Sequence, residues 1–306
     1  MSRRERDRAG GSVGGFFSPP QYVNRGVVVT ATQSSGSPTY FVNGNYEGYR
    51  FTGSGDFVVS NGTLRDVEFI LVAGGGSGGY NNPMLDVFTG GGGGAGGLVR
   101  SDDHSKLSLV SGTYPVVIGA GGAAPVFPYT ANNGNNSRFA NYTAFGGGHG
   151  DGSIGGSGGG GGGRRQTDGS LSLGNGTASF LTPQGKSGGN AGGFISSLYG
   201  GGGGGGYSTS GTTATSTASG AGGSGLTITF DDQSRSIAGG GGGGMAGSSG
   251  RGLGADGGGN GNGGGSTAAT AGTANTGGGG GGYGSAGGGS SAAAGGSGVF
   301  MIRWPR

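Results

Sequence analysis

Residues 67–79 read VEFILVAGGGSGG, an apolar run of aromatic and branched side chains that passes within one residue into glycine. Aromatic and β-branched residues suit a pleated strand, whereas glycine has no side chain to bury. The same junction recurs in YPVVIGAGG at residues 114–122, where the apolar run meets Gly119. Two strands that end in glycine imply a small β-domain that launches glycine segments.

Outward from residues 67–79, strand-like pieces fall at 49–52, 57–60 and 64–72, with Asn61-Gly62 between the last two. Asn-Gly between β-rich runs is a strong hairpin signal. Further strands are predicted at 98–100, 107–110, 114–118, 139–145, 226–230 and 299–304, and no segment carries the 3.6-residue apolar period of a helix. Residues 1–38 are polar, contain Pro19, Pro20 and Pro38, and have one short β-like piece at 27–30. The predicted organisation is an extended docking arm (1–38), an antiparallel β-domain (39–145, with first glycine insertions at 74–97), a bundle of glycine rods with variable loops (146–298), and a strand (299–306) that returns to the β-domain.

The chain has 306 residues, of which 92 are Gly and 9 are Pro, and only 30% are hydrophobic. An oily core can therefore serve the first half and hardly the second. Composition of this kind usually reads as flexible linker. Spacing argues against that: glycine runs begin near Gly200, Gly220, Gly239, Gly257, Gly277 and Gly295, at intervals of 20, 19, 18, 20 and 18 residues. A fixed period marks a repeated unit, and Glu, Lys and Pro, which fill disordered segments, are scarce.

Ordering a backbone residue costs about 1–2 kcal/mol, and glycine loses more freedom than any other residue. Only backbone interactions can offset this: about 1 kcal/mol net per hydrogen bond and ~0.5–1 kcal/mol per Cα–H···O contact. A left-handed threefold helix has no internal hydrogen bonds and points its peptide groups outward, so neighbouring rods can satisfy one another. A nine-residue run spans about 28 Å at that rise, which leaves enough of each repeat for a turn and predicts rods running alternately up and down. The predicted fold class is thus mainly β, a small antiparallel domain plus a polyglycine II bundle closed by a C-terminal strand. The lack of a strict every-third-Gly period with Pro excludes collagen.

Charged residues make up 10% and the net charge is +3. Much of it lies in Arg3, Arg4, Arg6 and Arg8, which with Phe16 and Phe17 are the candidate docking residues of the arm. So short a basic arm fits a docking peptide better than a nucleic-acid surface, which spreads its basic residues along a face. There is no Cys, so disulfides and thiolate metal sites are excluded. The start, MSRRERDRAGG, lacks the apolar stretch of a secretory signal, and no apolar run reaches the roughly 20 residues of a membrane span. Synthesis without a signal peptide and no membrane insertion are expected.

No catalytic, cofactor or metal site is expected. Gly185-Lys186-Ser187 resembles the end of a phosphate-binding loop, but the earlier glycine of that motif is replaced by Phe180. Strings of GxGxxG follow from glycine content and none opens a helix. His104 beside Asp102 and Asp103, and His149 near Asp151, read as solvated turns. The sequons at Asn61, Asn135, Asn141 and Asn175 read as chance matches. The inserts are more informative. Tyr80, Met84 and Phe88 share one, Phe127 and Tyr129 another, Phe194 and Tyr199 a third, while Tyr207 and Tyr283 directly follow glycine runs. Aromatics on loops give large contact area at low entropic cost and suit binding, including stacking on sugars. Their other reading is as caps that shield rod ends. Because loops alternate between two ends, at most about half can face a receptor.

FILVAGGGSGG (69–79), GGGGGAGGLV (90–99), YPVVIGAGG (114–122) and GGSGVFMIRWP (295–305), in that order, resemble the glycine-rich domain of phage tail and fibre proteins. The resemblance implies a terminal strand that pairs with the early sheet. Alternation of glycine runs with variable inserts over residues 74–298 is similar to the polyglycine-rod adhesins of T-even-like phage long tail fibres, which implies exposed loops that touch a host receptor. The N-terminal arm departs from the docking domain of those adhesins. The expected function is a virion fibre or adhesin protein whose arm docks to tail, baseplate or capsid proteins and whose loops bind a host glycan or outer-membrane protein, as a single chain or a homotrimer. The alternative is a head fibre or decoration protein without a receptor role. An ice-binding bundle needs a flat array of small residues, and the Thr-rich insert at 209–217 is a single loop.

Overall fold

The computed structural model describes residues 24, 26–35, 37–80, 88–103, 105–126, 130–158, 163–165, 171–173, 184–192, 199–247, 250–263, 267–284 and 291–306. It is mainly β, with no α-helix among the described residues. In chain order the strands are β1 (Val28–Gln33), β2 (Thr39–Asn43), β3 (Tyr46–Phe51), β4 (Gly55–Val72), β5 (Phe88–Thr89), β6 (Leu98–Arg100), β7 (Leu107–Val117), β8 (Ser137–Phe139), β9 (Tyr142–Ala144), β10 (Gly163–Arg165), β11 (Leu171–Leu173), β12 (Tyr199–Gly200), β13 (Leu226–Thr229), β14 (Ser234–Ile237), β15 (Met245–Ala246) and β16 (Val299–Pro305).

Nine strands form one curled antiparallel sheet with the path β2-β3-β16-β4-β7-β8-β9, and β1 and β6 also pair with β4. The 18-residue β4 is its spine. The expected Asn61-Gly62 hairpin is absent, because the chain continues through that pair as one strand. Asn61 and Gly62 take positive φ (58° and 122°), and the register against β7 shifts between Val59 and Thr63. Ser111 of β7 fills the gap, its Oγ accepting the Gly62 N–H and donating to the Gly62 carbonyl, both at 2.9 Å. Turn chemistry is spent on a bulge, and the bulge adds twist, so that both halves of β4 find partners. β1 lies inside the stretch read as an arm, and pairs with residues 55–60 of β4.

The apolar run at 69–72 is continuous because both of its faces are covered. Phe69 and Leu71 join Phe51, Phe57, Leu64, Phe139, Phe300, Ile302 and Trp304 in one core. Ile70 and Val72 join Leu98, Phe230, Ile237, Val299 and Met301 in the other, which the β13–β14 hairpin helps to roof. β16, the last strand in sequence, sits between β3 and β4, with Ile302 opposite both Tyr49 and Phe69.

From Ala73 onward the chain leaves the sheet, and its backbone bonds sideways with a period of three. Residues 73, 76 and 79 donate to the carbonyls of 97, 94 and 91; residues 74 and 77 donate to 135 and 132; residues 75 and 78 donate to 296 and 293. Its carbonyls accept from 147 and 150, from 280 and 283, and from 122. The segment 90–97 is embedded in the same way: it donates to 277–283, to 202 and 205, and to 145 and 148, and accepts from 73–79, from 241 and 244, and from 157. Partner numbers that rise or fall by three identify which neighbours are parallel and which antiparallel.

Residues 73–79, 90–97, 200–206, 238–244 and 277–282 are buried throughout. Their backbones touch: a Cβ on Gly93 would overlap the Gly76 carbonyl oxygen, and one on Gly204 would overlap that of Gly93. The outer segments, such as 184–192 and 250–263, carry Lys186, Asn190, Arg251 and Leu253.

Candidate binding face at the far end of the glycine block

The hydrogen-bond register gives the block two ends. Residues 73–79 run away from β4, and 90–97 return to β6. At the end remote from the sheet, Gly79 meets Gly91 and Tyr283, Gly90 meets Gly244, and Gly201 meets Gly244. The described residues that flank the inserts at 81–87, 193–198 and 285–290 therefore converge on this far end. Short ladders mark it: β5-β10-β11, β12-β15, and an isolated bridge between Thr89 and Gly284.

Several of the aromatics singled out in the sequence lie here. Tyr80 and Tyr283 are half-buried, with ring centroids 4.4 Å apart at an interplanar angle of 42°. The Phe88 backbone pairs with Arg164, and that of Tyr199 with Ala246. Tyr207 is at the opposite end, half-buried against the core of Phe230, Ile237 and Met301 together with Phe41 and Ile228. The glycine run it follows descends toward the sheet, so Tyr207 closes a core. Met84, Phe127, Tyr129 and Phe194 lie outside the described residues, as do Arg3, Arg4, Arg6, Arg8, Phe16 and Phe17.

The turn at 149–152 is more built than a solvated turn. The His149 N–H donates to Asn133 Oδ1 at 2.9 Å, and its Nδ1 accepts the Asp151 N–H at 3.3 Å. Burial lowers the His149 pKa. The Asp151 residue is exposed, yet its carboxylate lies against Gly79, where a Cβ would collide with Oδ1. Desolvation pushes its pKa up to about 6, opposed by a hydrogen bond from the Tyr80 backbone N–H.

The sheet end carries a second charged cluster. Arg303 and Lys106 both reach Glu68 at 2.7 Å, and the Arg303 guanidinium lies over the rings of Tyr46 and Phe230. Burial would raise the Glu68 carboxyl, but hydrogen bonds from Lys106 and Arg303, with their charges, hold it below the usual carboxylate range. Arg50 and Arg235 flank Asp231. These pairs join β3, β4, β16 and the β13–β14 hairpin, and act as clamps. Sequence gave no signal for them, since Glu68 and Arg303 are 235 residues apart. Among the described residues no group of three or more His, Cys, Asp or Glu is arranged to hold a metal, and no helix is long and apolar enough to cross a membrane.

None of the curated proteins compared matches the chain. A family model described as a glycine-rich domain matches residues 51–305, from β3 to the end of β16. This chain belongs to that glycine-rich domain family.

Proposed function

We propose that the chain is a surface protein of a phage particle, a fibre or adhesin that holds variable loops on a stiff glycine scaffold for attachment to a host surface. In this reading the glycine segments are polyglycine II rods. The three-residue period of their lateral hydrogen bonds supports that assignment, because polyproline-type helices have three residues per turn and no internal bonds.

The observation that carries the functional reading is the convergence of insert-flanking residues at the far end, on segments locked to neighbours along their length. A loop whose two ends are immobile loses less freedom when it binds. Residues 1–23 would dock to tail, baseplate or capsid proteins, and the ligand would be a glycan or outer-membrane protein of the host. Neither an enzymatic step nor nucleic acid enters this reading.

The test is exchange of residues 81–87 and 193–198 for the corresponding inserts of a related chain, within otherwise intact particles. An altered host range is expected. Unchanged adsorption with normal incorporation would instead make the protein a head fibre or decoration component. Deleting residues 1–23 should abolish incorporation and leave the purified fold intact.

A further inference from the structure

On one flank of the glycine block, side chains take the place of a neighbouring segment. Along 146–150 the successive N–H groups turn to three sides. Gly147 and Gly150 donate to the carbonyls of Gly74 and Ser77, and Gly148 donates to that of Ser157. Gly146 and His149 donate instead to side-chain oxygens, Asn136 Oδ1 at 2.8 Å and Asn133 Oδ1 at 2.9 Å. These two bonds fall three residues apart on both segments, in antiparallel order, which is the period of the carbonyl partners elsewhere in the block. Because each Oδ1 holds a backbone N–H, the orientation of each carboxamide is set and its Nδ2 is the end left over. Neither Nδ2 has a hydrogen-bond partner among the described residues. Both residues line a groove of about 200 Å³, together with Phe145, Ile154 and the glycines Gly134 and Gly146. Asn133 and Ile154 are exposed, Asn136 and Phe145 are half-buried, and no charged side chain lines the groove.

We propose that this groove docks a proline-rich segment of a partner protein, extended as a polyproline II helix. It rests on the reading of the glycine segments as threefold rods, and not on the host-attachment role. At a rise of about 3.1 Å, residues three apart on such a rod are about 9 Å apart, and so are every third carbonyls of a polyproline II ligand. The Asn133 and Asn136 carboxamides can therefore donate to two carbonyls on one face of the same ligand. Polar complementarity selects proline, since the two side chains offer donors and a run of proline offers carbonyls with no N–H. The groove exceeds the roughly 150 Å³ that holds a benzene, so a pyrrolidine ring fits against Phe145 and Ile154, as rings of proline-rich ligands do in aromatic-lined grooves. A ligand that is already extended loses little freedom when it docks.

The full chain, labelled with nitrogen-15, is titrated with a nonaproline peptide, with a Gly-Ser peptide of the same length and with the neutral oligosaccharide maltoheptaose. Nonaproline is expected to bind at millimolar concentration and to shift the side-chain amide signals of Asn133 and Asn136. Asn133→Asp and Asn136→Asp keep an oxygen for the N–H groups of His149 and Gly146 and remove only the donors. The double variant should therefore melt like the unsubstituted chain and bind nonaproline at least tenfold more weakly, and Ile154→Ser should weaken binding as well. Equal binding of the Gly-Ser peptide or of maltoheptaose, undiminished binding by the double variant, unmoved side-chain amide signals, or no binding of nonaproline at millimolar concentration would overturn the inference. Should the double variant not fold, the side-chain amide signals of the unsubstituted chain decide. Slow backbone exchange along 73–79 and 90–97 with no nonaproline bound would sink the groove and leave the rods standing. Fast exchange there, with nonaproline bound at the two asparagines, would refute the rods and leave the groove.

Discussion

At the scale of single residues, the molecule separates glycines that must be glycine from those that need not be. Gly93 lies where a Cβ would overlap the Gly76 carbonyl, and rigid backbone cannot yield as a flexible side chain would. Gly93→Ala is expected to lower stability by at least the roughly 1–3 kcal/mol of ordinary overpacking. Gly112 in β7 is exposed and a Cβ there meets nothing closer than 3.9 Å. Gly112→Ala should be neutral or stabilising by about 0.4–1 kcal/mol. Urea unfolding of the two variants checks the contrast, and equal effects would refute lattice packing at Gly93.

Asp151 gives a pH signature of its own. Its folded pKa of about 6 is above that of an unfolded aspartate, so the folded state binds the proton more tightly. Its ionisation therefore destabilises the fold above pH 6, and this penalty disappears as pH falls from 6 toward 4. His149, with a lowered pKa, acts in the opposite sense, losing stability as pH falls below its ordinary value. Comparing melting temperatures of wild type and Asp151→Asn isolates the aspartate. The variant should be at least as stable at pH 7.5, and the gap should close or reverse by pH 4.5. A constant gap would refute the raised pKa.

At the scale of elements, the sheet is held by pieces distant in sequence. Glu68 is buried and paired with Arg303 and Lys106. A carboxyl held below its usual range gives stability above the unfolded pKa, lost as pH falls through the folded one. Glu68→Gln should flatten the acid side of the stability curve. Arg303→Met should cost on the order of 2–4 kcal/mol, because it strips one partner from a mostly buried charge and removes two ring contacts.

Legibility in sequence differed among elements for physical reasons. Residues 69–72 and 299–302 are readable because burial on both faces produces an unbroken apolar run. The two pieces of β4 read in sequence as a hairpin because Asn-Gly signals positive φ, and positive φ serves a bulge as well as a turn. β1 is hard to tell from an extended arm in sequence, since VVTATQ is short and only alternate residues face the core. Tyr207 reads as a loop aromatic because sequence shows that a glycine run ends but not at which end of the block. His149 and Asp151 read in sequence as a solvated turn because their partners, Asn133, Gly79 and Tyr80, come from other segments.

At the scale of the whole molecule, the topology places the last strand at the centre of the sheet. Until residues 299–305 arrive, β3 and β4 have open edges facing each other. A chain ending at Gly298 should lose cooperative unfolding, and a synthetic peptide of residues 297–306 should bind it and restore the near-ultraviolet signal of the Phe139–Phe300 and Phe57–Trp304 contacts. If the truncated chain does not fold, the peptide should still rescue it during refolding. Failure in both formats would show that insertion of β16 requires continuity with the last glycine segment. In the intact protein, amides of 73–79, 90–97, 200–206, 238–244 and 277–282 should exchange as slowly as those of β4, while 184–192 and 250–263 exchange faster.

What the sequence determined by itself was the division of labour. Apolar runs make a sheet, side-chain-free runs of fixed spacing must be held by backbone, and both statements follow from which residues can bury surface and which cannot. What only the tertiary structure decided was adjacency. One glycine run is chemically the same as another, so nothing in their composition says that 73–79 lies between 90–97 and 293–296, or that Tyr80, Tyr283 and Asp151 share one end. Those neighbours are chosen by where the sheet launches each segment and by hydrogen bonds that recur every third residue.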